Sequence, residues 1–232
     1  MREFGSEHPA VVLPDGYFDA LRDFGREVTY LRCGREALMY VSCNCKPKEE
    51  AVILCPAYSC WSMTAPFEKT GWKVVPYRLN PDLTVDVVYL NELLRTLRVD
   101  AILTMNFYGS ASTREAIAAV KAHYEGVVVI EDFSHCTFCL GQIFDEGVDF
   151  YVSSIRKSIG VCDGAVVLSK RPTNHEYIQH EVADFAEERF EAQMQKGRYA
   201  FNKKQDVKSR FLTTLRRMEG IIDDFNAVRP MS

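Results

Sequence analysis

Between residues 50 and 170 the chain alternates short apolar runs with segments of helical periodicity, and this alternation restricts the fold more than any other feature. Ala51–Cys55 reads Ala-Val-Ile-Leu-Cys and stops at Pro56. Lys73–Tyr77, Ala101–Met105 and Val127–Ile130 follow, then the shorter runs Asp149–Val152 and Ala165–Leu168. Runs without polar alternation fit strands buried on both faces. Between them, Trp61–Lys69, Val87–Leu97 and Thr113–Tyr124 read as helices. The second carries Leu90, Leu93, Leu94 and Leu97 on one face, and the third opens with Ser112 as N-cap. Strands that alternate with helices imply a mainly parallel sheet covered on both sides. Right-handed crossovers then make it a three-layer α/β/α sandwich.

The flanks differ from this centre. Residues 1–29 read as an N-terminal helical segment, with Tyr17, Leu21 and Phe24 as the apolar stripe of a short helix over 16–26. Residues 30–170 form the large α/β domain, whose first helix is Gly34–Val41. Residues 171–232 read as a helical C-terminal extension. Glu176–Lys196 is highly charged, and Val207, Phe211, Leu215, Met218, Ile222 and Phe225 recur at helical spacing. That stripe suits a core or a subunit-packing face.

Composition removes several classes of function. The 28 Lys+Arg against 32 Asp+Glu give a formal charge of −4, which argues against nucleic-acid binding by bulk electrostatics. No apolar run approaches the roughly 20 residues that span a bilayer. The opening Met-Arg-Glu-Phe-Gly-Ser-Glu-His lacks the apolar centre of a signal peptide, so a cytoplasmic protein is expected, with no membrane partner. Eight cysteines then read as reduced, mostly buried thiols. Cys136-x-x-Cys139 and Cys43-x-Cys45 could be offered as the two halves of a zinc site, but the spacing fits poorly and no metal is expected.

In an open α/β sheet, ligands bind beyond the carboxyl ends of the strands. Three polar segments fall there or beside it. Glu131-Asp132-Phe133-Ser134-His135 follows one strand, and Ser153-Ser154-Ile155-Arg156-Lys157-Ser158-Ile159-Gly160 follows another. Cys33-Gly34-Arg35-Glu36-Ala37-Leu38 opens a helix with a glycine at its start. A helix N-terminus with small residues can hold a phosphate through backbone N–H groups. A strand-end Asp can pair with a protonated pyridine nitrogen, and a Lys after a buried strand can form a Schiff base with an aldehyde. Pyridoxal 5′-phosphate (PLP) needs all three. Taken singly, Asp132 also fits a capping residue, His135 a core histidine and Lys157 a surface charge.

From about Tyr30 to Leu168 the sequence resembles the fold-type-I PLP-dependent enzymes, and among them the DegT/StrS sugar aminotransferases. The likeness rests on Leu31–Leu38, Ile53–Ser59, Asn106-Phe107-Tyr108-Gly109, Glu131–His135, and Ser154-Ile155-Arg156-Lys157 followed by Gly160 and Asp163-Gly164, in the family's order. The resemblance implies that Lys157 holds the cofactor and shuttles a proton, and that Asp132 keeps the pyridine nitrogen protonated. It implies that His135 contacts the ring, and that Gly34, Arg35 and Ser154 bind the phosphate. The family's stacking aromatic aligns with Cys60, so Trp61 after a one-residue shift, or Tyr58, takes that place, or stacking is lost. The implied reaction moves nitrogen from an amino-acid donor to a keto-sugar linked to a nucleotide, in a homodimer.

After Leu168 the family continues into a small α/β domain, whereas only helical sequence follows here. The competing expectation is therefore an inactive or regulatory relative that keeps the fold as a binding module. A sugar dehydratase of the same family is disfavoured by Lys157, where that variant carries His. A flavin or nicotinamide Rossmann protein is disfavoured because no Gly-x-Gly-x-x-Gly turn follows the first strand.

Overall fold

The computed structural model describes residues 8–10, 15, 25–47, 50–109, 113–123, 126–140, 144–180, 185–203 and 205–232. The strands are β1 (Glu27–Leu31), β2 (Ala51–Pro56), β3 (Trp72–Tyr77), β4 (Ala101–Met105), β5 (Val128–Asp132), β6 (Phe150–Ser153) and β7 (Ala165–Ser169). The helices are α1 (Gly34–Cys45), α2 (Trp61–Lys69), α3 (Val87–Thr96), α4 (Arg114–His123), α5 (Phe185–Asn202) and α6 (Gln205–Asp223). The strands form one sheet in the order β1-β7-β6-β5-β4-β2-β3. Only the pairings of β7, with β6 and with β1, are antiparallel.

The absence of polar alternation has its expected cause. Ile53, Leu103, Ile130, Val152 and Val167 face one apolar core with Leu38, Val41 and Phe67 of α1 and α2. Leu54, Ile102, Val129, Tyr151 and Val166 face a second core with Leu90, Leu94, Ile117 and Val120 of α3 and α4. Successive residues of a strand therefore meet helices on opposite sides, and each buried aliphatic side chain contributes about 1.5–3 kcal/mol. The fold is the mainly parallel three-layer sandwich read from the sequence. No helix among the described residues is long and apolar enough to cross a membrane.

Several local details depart from the sequence expectation. β1 was not anticipated and crosses the boundary placed between residues 29 and 30. It is an edge strand whose Glu27, Thr29 and Leu31 register against Ser169, Val167 and Ala165, and its polar-apolar mixture gives no continuous apolar run. The expected helix over 16–26 and the Ser112 cap lie outside the described residues. β5 runs two residues further than expected and carries Glu131 and Asp132 inside the strand. The charged segment after Pro172 divides into a 3-10 turn at His175–Tyr177 and the longer α5.

The C-terminal stripe lies in the interior of this chain. Phe211 and Leu215 pack with Ala192 and Tyr199 of α5, while Met218 and Ile222 pack with Phe185 and Cys33 at the start of α1. Phe225, beyond the end of α6, is fully buried. The chain then returns to the sheet edge, where Arg32 N donates to Arg229 O at 2.9 Å and Leu31 bridges Pro230.

Candidate functional site

Two adjoining cavities open at the carboxyl ends of the central strands, with Met63 of α2 in the wall of both. The smaller, about 40 Å³, is lined by Gly34 and Arg35 at the start of α1, by Asp132 and Ser134 after β5, and by Ser154, Arg156 and Lys157 after β6. Ile222 of α6 closes one side. The larger, about 250 Å³, is bounded by Tyr58, Cys60, Met63, Met105, Phe107, Tyr108 and His135. Of the seven residues expected at the site, Gly34, Arg35, Asp132, Ser154 and Lys157 line the smaller cavity and His135 the larger.

Parallel topology produces this convergence, because β4, β5 and β6 all end on the same side. Asp132 ends β5 and is 3 % exposed. Its Oδ1 accepts from Ser134 N at 2.7 Å, which fixes the carboxylate on its own loop. Ser154 N donates to Ser134 Oγ at 2.9 Å, tying the next loop to the same serine. Lys157 ends the 3-10 turn Ile155–Lys157 and is exposed. Among the described residues its Nζ has no hydrogen bond or ion pair. Its carbonyl accepts from His8 Nε2 at 3.0 Å.

At the start of α1, Cys33 supplies no side-chain cap, so the first-turn N–H groups keep their capacity to bind an acceptor. A Cβ on Gly34 would stand 3.2 Å from the Ser154 Cβ, and glycine therefore lets the helix end approach that hydroxyl. The Arg35 guanidinium is paired with Asp223 at 2.7 Å, while its Nε and Nη1 are buried without a hydrogen-bond partner among the described residues. Arg156 makes a two-pronged pair with Glu219 at 2.8 and 3.3 Å, and Arg189 joins the same carboxylate at 2.8 Å. Burial raises the Glu219 pKa, but the two guanidinium groups outweigh it and hold the carboxyl below its ordinary value.

His135 stacks on Tyr108, with ring centroids 4.6 Å apart and 19° between planes, and meets Phe107 edge-on. Tyr108 holds the uncommon φ of 56° to present that ring. Burial lowers the His135 pKa, the positive charge of Lys157 lowers it further, and Asp132 opposes them. Burial and the lysine charge therefore favour the neutral imidazole, and its Nδ1 is buried without a partner among the described residues.

Trp61 is not brought to the site. Its ring lies edge-on to Phe225 at 5.9 Å, is 58 % exposed, and lines neither cavity. The sequence reading also missed Ser134, Met63 and Ile222. Ser134 could have been found as the second residue after Asp132, the place where an Asx turn returns a backbone N–H. Met63 lies one helical turn from Cys60, and nothing local marks Ile222, which comes from a distant helix. All eight cysteines are free thiols.

No protein-family model matches the sequence, and no curated protein does. Among solved structures, the chain is similar to a NifS-like protein (TM-score 0.58, 14% identity, 72% of this chain and 49% of that one). It is similar to Helicobacter pylori PseC, an aminotransferase involved in the biosynthesis of pseudoaminic acid (TM-score 0.57, 16% identity, 73% and 53%). It also resembles serine palmitoyltransferase from S. paucimobilis with a bound PLP–myriocin aldimine (TM-score 0.56, 22% identity, 83% and 57%). The chain spans about half the length of these structures. At such identities the likeness shows a shared fold.

Proposed function

We propose that this chain is a PLP-dependent enzyme of the fold-type-I kind and that its reaction is amino-group transfer. One observation carries the reading. Lys157, Asp132, Ser154 and the uncapped start of α1 come from separate segments and line one small cavity.

The residues present fit the cofactor. The Gly34–Ser154 approach forms a cradle that a Cβ would fill, and it suits a phosphate bound by the N–H groups of Gly34 and Arg35 and by the Ser154 hydroxyl. The buried, fixed Asp132 suits a protonated ring nitrogen. The adjoining cavity, walled by Met63, Met105 and Phe107, suits an apolar ring, with the unpartnered His135 Nδ1 at its edge. Tyr58, the other aromatic offered for stacking, lines this cavity beside Cys60 and Met63. When bound, PLP supplies the electron sink for cleavage at an amine's α-carbon.

The chain supplies the rest. Lys157 would hold the cofactor through Nζ and, once displaced by the substrate amine, would take and return the proton that moves along the substrate. Asp132 would pair with the ring nitrogen, and His135, whose charged form burial disfavours, would orient the ring. Residues 30–170 serve as the cofactor-binding domain and 171–232 as a helical extension. By resemblance, an amino acid serves as donor, a keto-sugar linked to a nucleotide as acceptor, and two copies form the working unit. The second reading, a binding module without catalysis, draws on Trp61 facing away from the site and Cys60 standing where an aromatic is expected.

The test uses the purified full chain. Added PLP should give a visible absorption band that Lys157→Ala abolishes and Asp132→Ala weakens. Amino donors should then bleach the band in the wild type. A wild type that never develops the band overturns the reading, while a stable band that no donor bleaches favours the binding module.

A further inference from the structure

The segment carrying Lys157 is held to the segment carrying Asp132 and His135 by a chain of hydroxyl groups. Ser153 Oγ donates to Phe133 O at 3.3 Å and lies 2.9 Å from Thr137 Oγ1. Thr137 Oγ1 lies 3.1 Å from Ser158 Oγ, on the residue directly after Lys157. Thr137 opens the 3-10 turn two residues after His135. One hydroxyl therefore touches both ends of the Ser153–Ser158 segment, and that segment brackets Ser154 and Lys157. The Ser134–Ser154 bond adds a parallel tie on the cavity side.

Backbone hydrogen bonds do not duplicate this work. Beyond β6, the Lys157 turn bonds within itself, with Lys157 N donating to Ser154 O at 3.2 Å and Ser158 N to Ile155 O at 2.9 Å, and away from the Asp132 segment, with Arg156 N donating to Gly164 O at 3.3 Å. Across to the Asp132 segment, the nearest backbone bond is Phe133 N to Val152 O at 2.7 Å, before the turn begins. The lysine side chain is exposed and unpaired among the described residues, so its reach toward Asp132 is set by where its backbone is anchored.

We propose that Thr137 is a positioning residue. Its hydroxyl, relayed through Ser153 and Ser158, fixes the distance between the Lys157 nitrogen and the Asp132–His135 pair. The inference rests on the PLP reading of the site, because it concerns a nitrogen and a carboxylate acting on one ring.

The experiment compares wild type, Thr137→Val, Thr137→Ser and Ser158→Ala as PLP-loaded full chains. The readouts are PLP affinity, the pH midpoint of the visible band, and the melting temperature. Valine keeps the shape and removes the hydroxyl. Thr137→Val should move the pH midpoint and weaken PLP by roughly tenfold, the effect of about 1.4 kcal/mol. Thr137→Ser should restore both, and Ser158→Ala should move the midpoint in the same direction by less. A lowered melting temperature with an unmoved midpoint overturns the proposal and makes Thr137 merely structural. Failure of serine to rescue overturns it too. If wild type gives no visible band, the PLP reading itself fails, a result distinct from both.

Discussion

The Asp223 carboxylate at the end of α6 lies 2.7 Å from the Arg35 guanidinium at the start of α1. The pair brings a negative charge to the rim of the cavity proposed to take a phosphate. The Asp223 side chain is 56 % exposed, so the pair contributes under about 1 kcal/mol to stability. Asp223→Asn should therefore shift the unfolding midpoint only slightly. By removing repulsion and releasing Arg35 it should tighten PLP by roughly two- to fivefold at low salt, and less at high salt. Titrations at two ionic strengths check this.

Glu36 presents the opposite case, a carboxylate with no exposure at all. It pairs with Arg32 and accepts from Arg229 N at 2.9 Å, so it joins α1, the end of β1 and the C-terminal residues. Burial raises its pKa, and the adjacent Arg32 charge acts against that. Glu36→Ala would leave Arg32 buried without its partner, at a cost of about 3–5 kcal/mol. Urea unfolding should show this as a large drop in midpoint.

Glu131 gives the fold a pH dependence. It is 2 % exposed and receives a hydrogen bond from Thr113. Burial drives its pKa from 4.5 up to about 7. In that interval the unfolded chain loses the proton that the folded chain keeps. Stability from this group is full below pH 4.5 and declines as pH rises to about 7, at a slope on the order of 1 kcal/mol per pH unit. Glu131→Gln should flatten that part of the curve, measured by urea midpoints across pH 4.5 to 7.

The layers of the sandwich were legible because strands buried on both faces must be apolar throughout, as Val128–Ile130 and Ala101–Met105 are. Asp132, Ser154 and Lys157 were legible because parallel strands deliver whatever follows them to one edge. β1 was not, since Glu27 and Thr29 interrupt any apolar run, although Leu31 meets one core and Val28 and Tyr30 the other. Trp61 misled for a different reason. Its position in the sequence is next to the site, but its ring lies edge-on to Phe225, which arrives from beyond α6. Ile222 and Asp223 were invisible for the same cause, being contributed by tertiary packing.

Gly160 is needed for a close approach. A Cβ there would lie 2.0 Å from the Pro9 carbonyl oxygen, and a Cβ added on Gly197 of α5 would stand 3.5 Å from the Pro9 Cβ. Gly160→Ala should expel residues 8–10 from the Lys157 loop and break the His8–Lys157 bond. Limited proteolysis should find the N-terminal stretch cut faster, with the melting temperature of the remaining body little changed.

The pairing of β1 with β7 also sets an order of events during synthesis. Among the described residues, Glu27–Leu31 leaves the ribosome before every other strand, yet its partners are Ala165–Ser169 and, through Leu31, Pro230. The first strand made must wait for the last, and until then its backbone edge stays open to wrong partners. Chaperone engagement of nascent chains should thus persist until β7 has emerged, and a stalled chain ending before residue 165 would leave β1 with nothing to pair with.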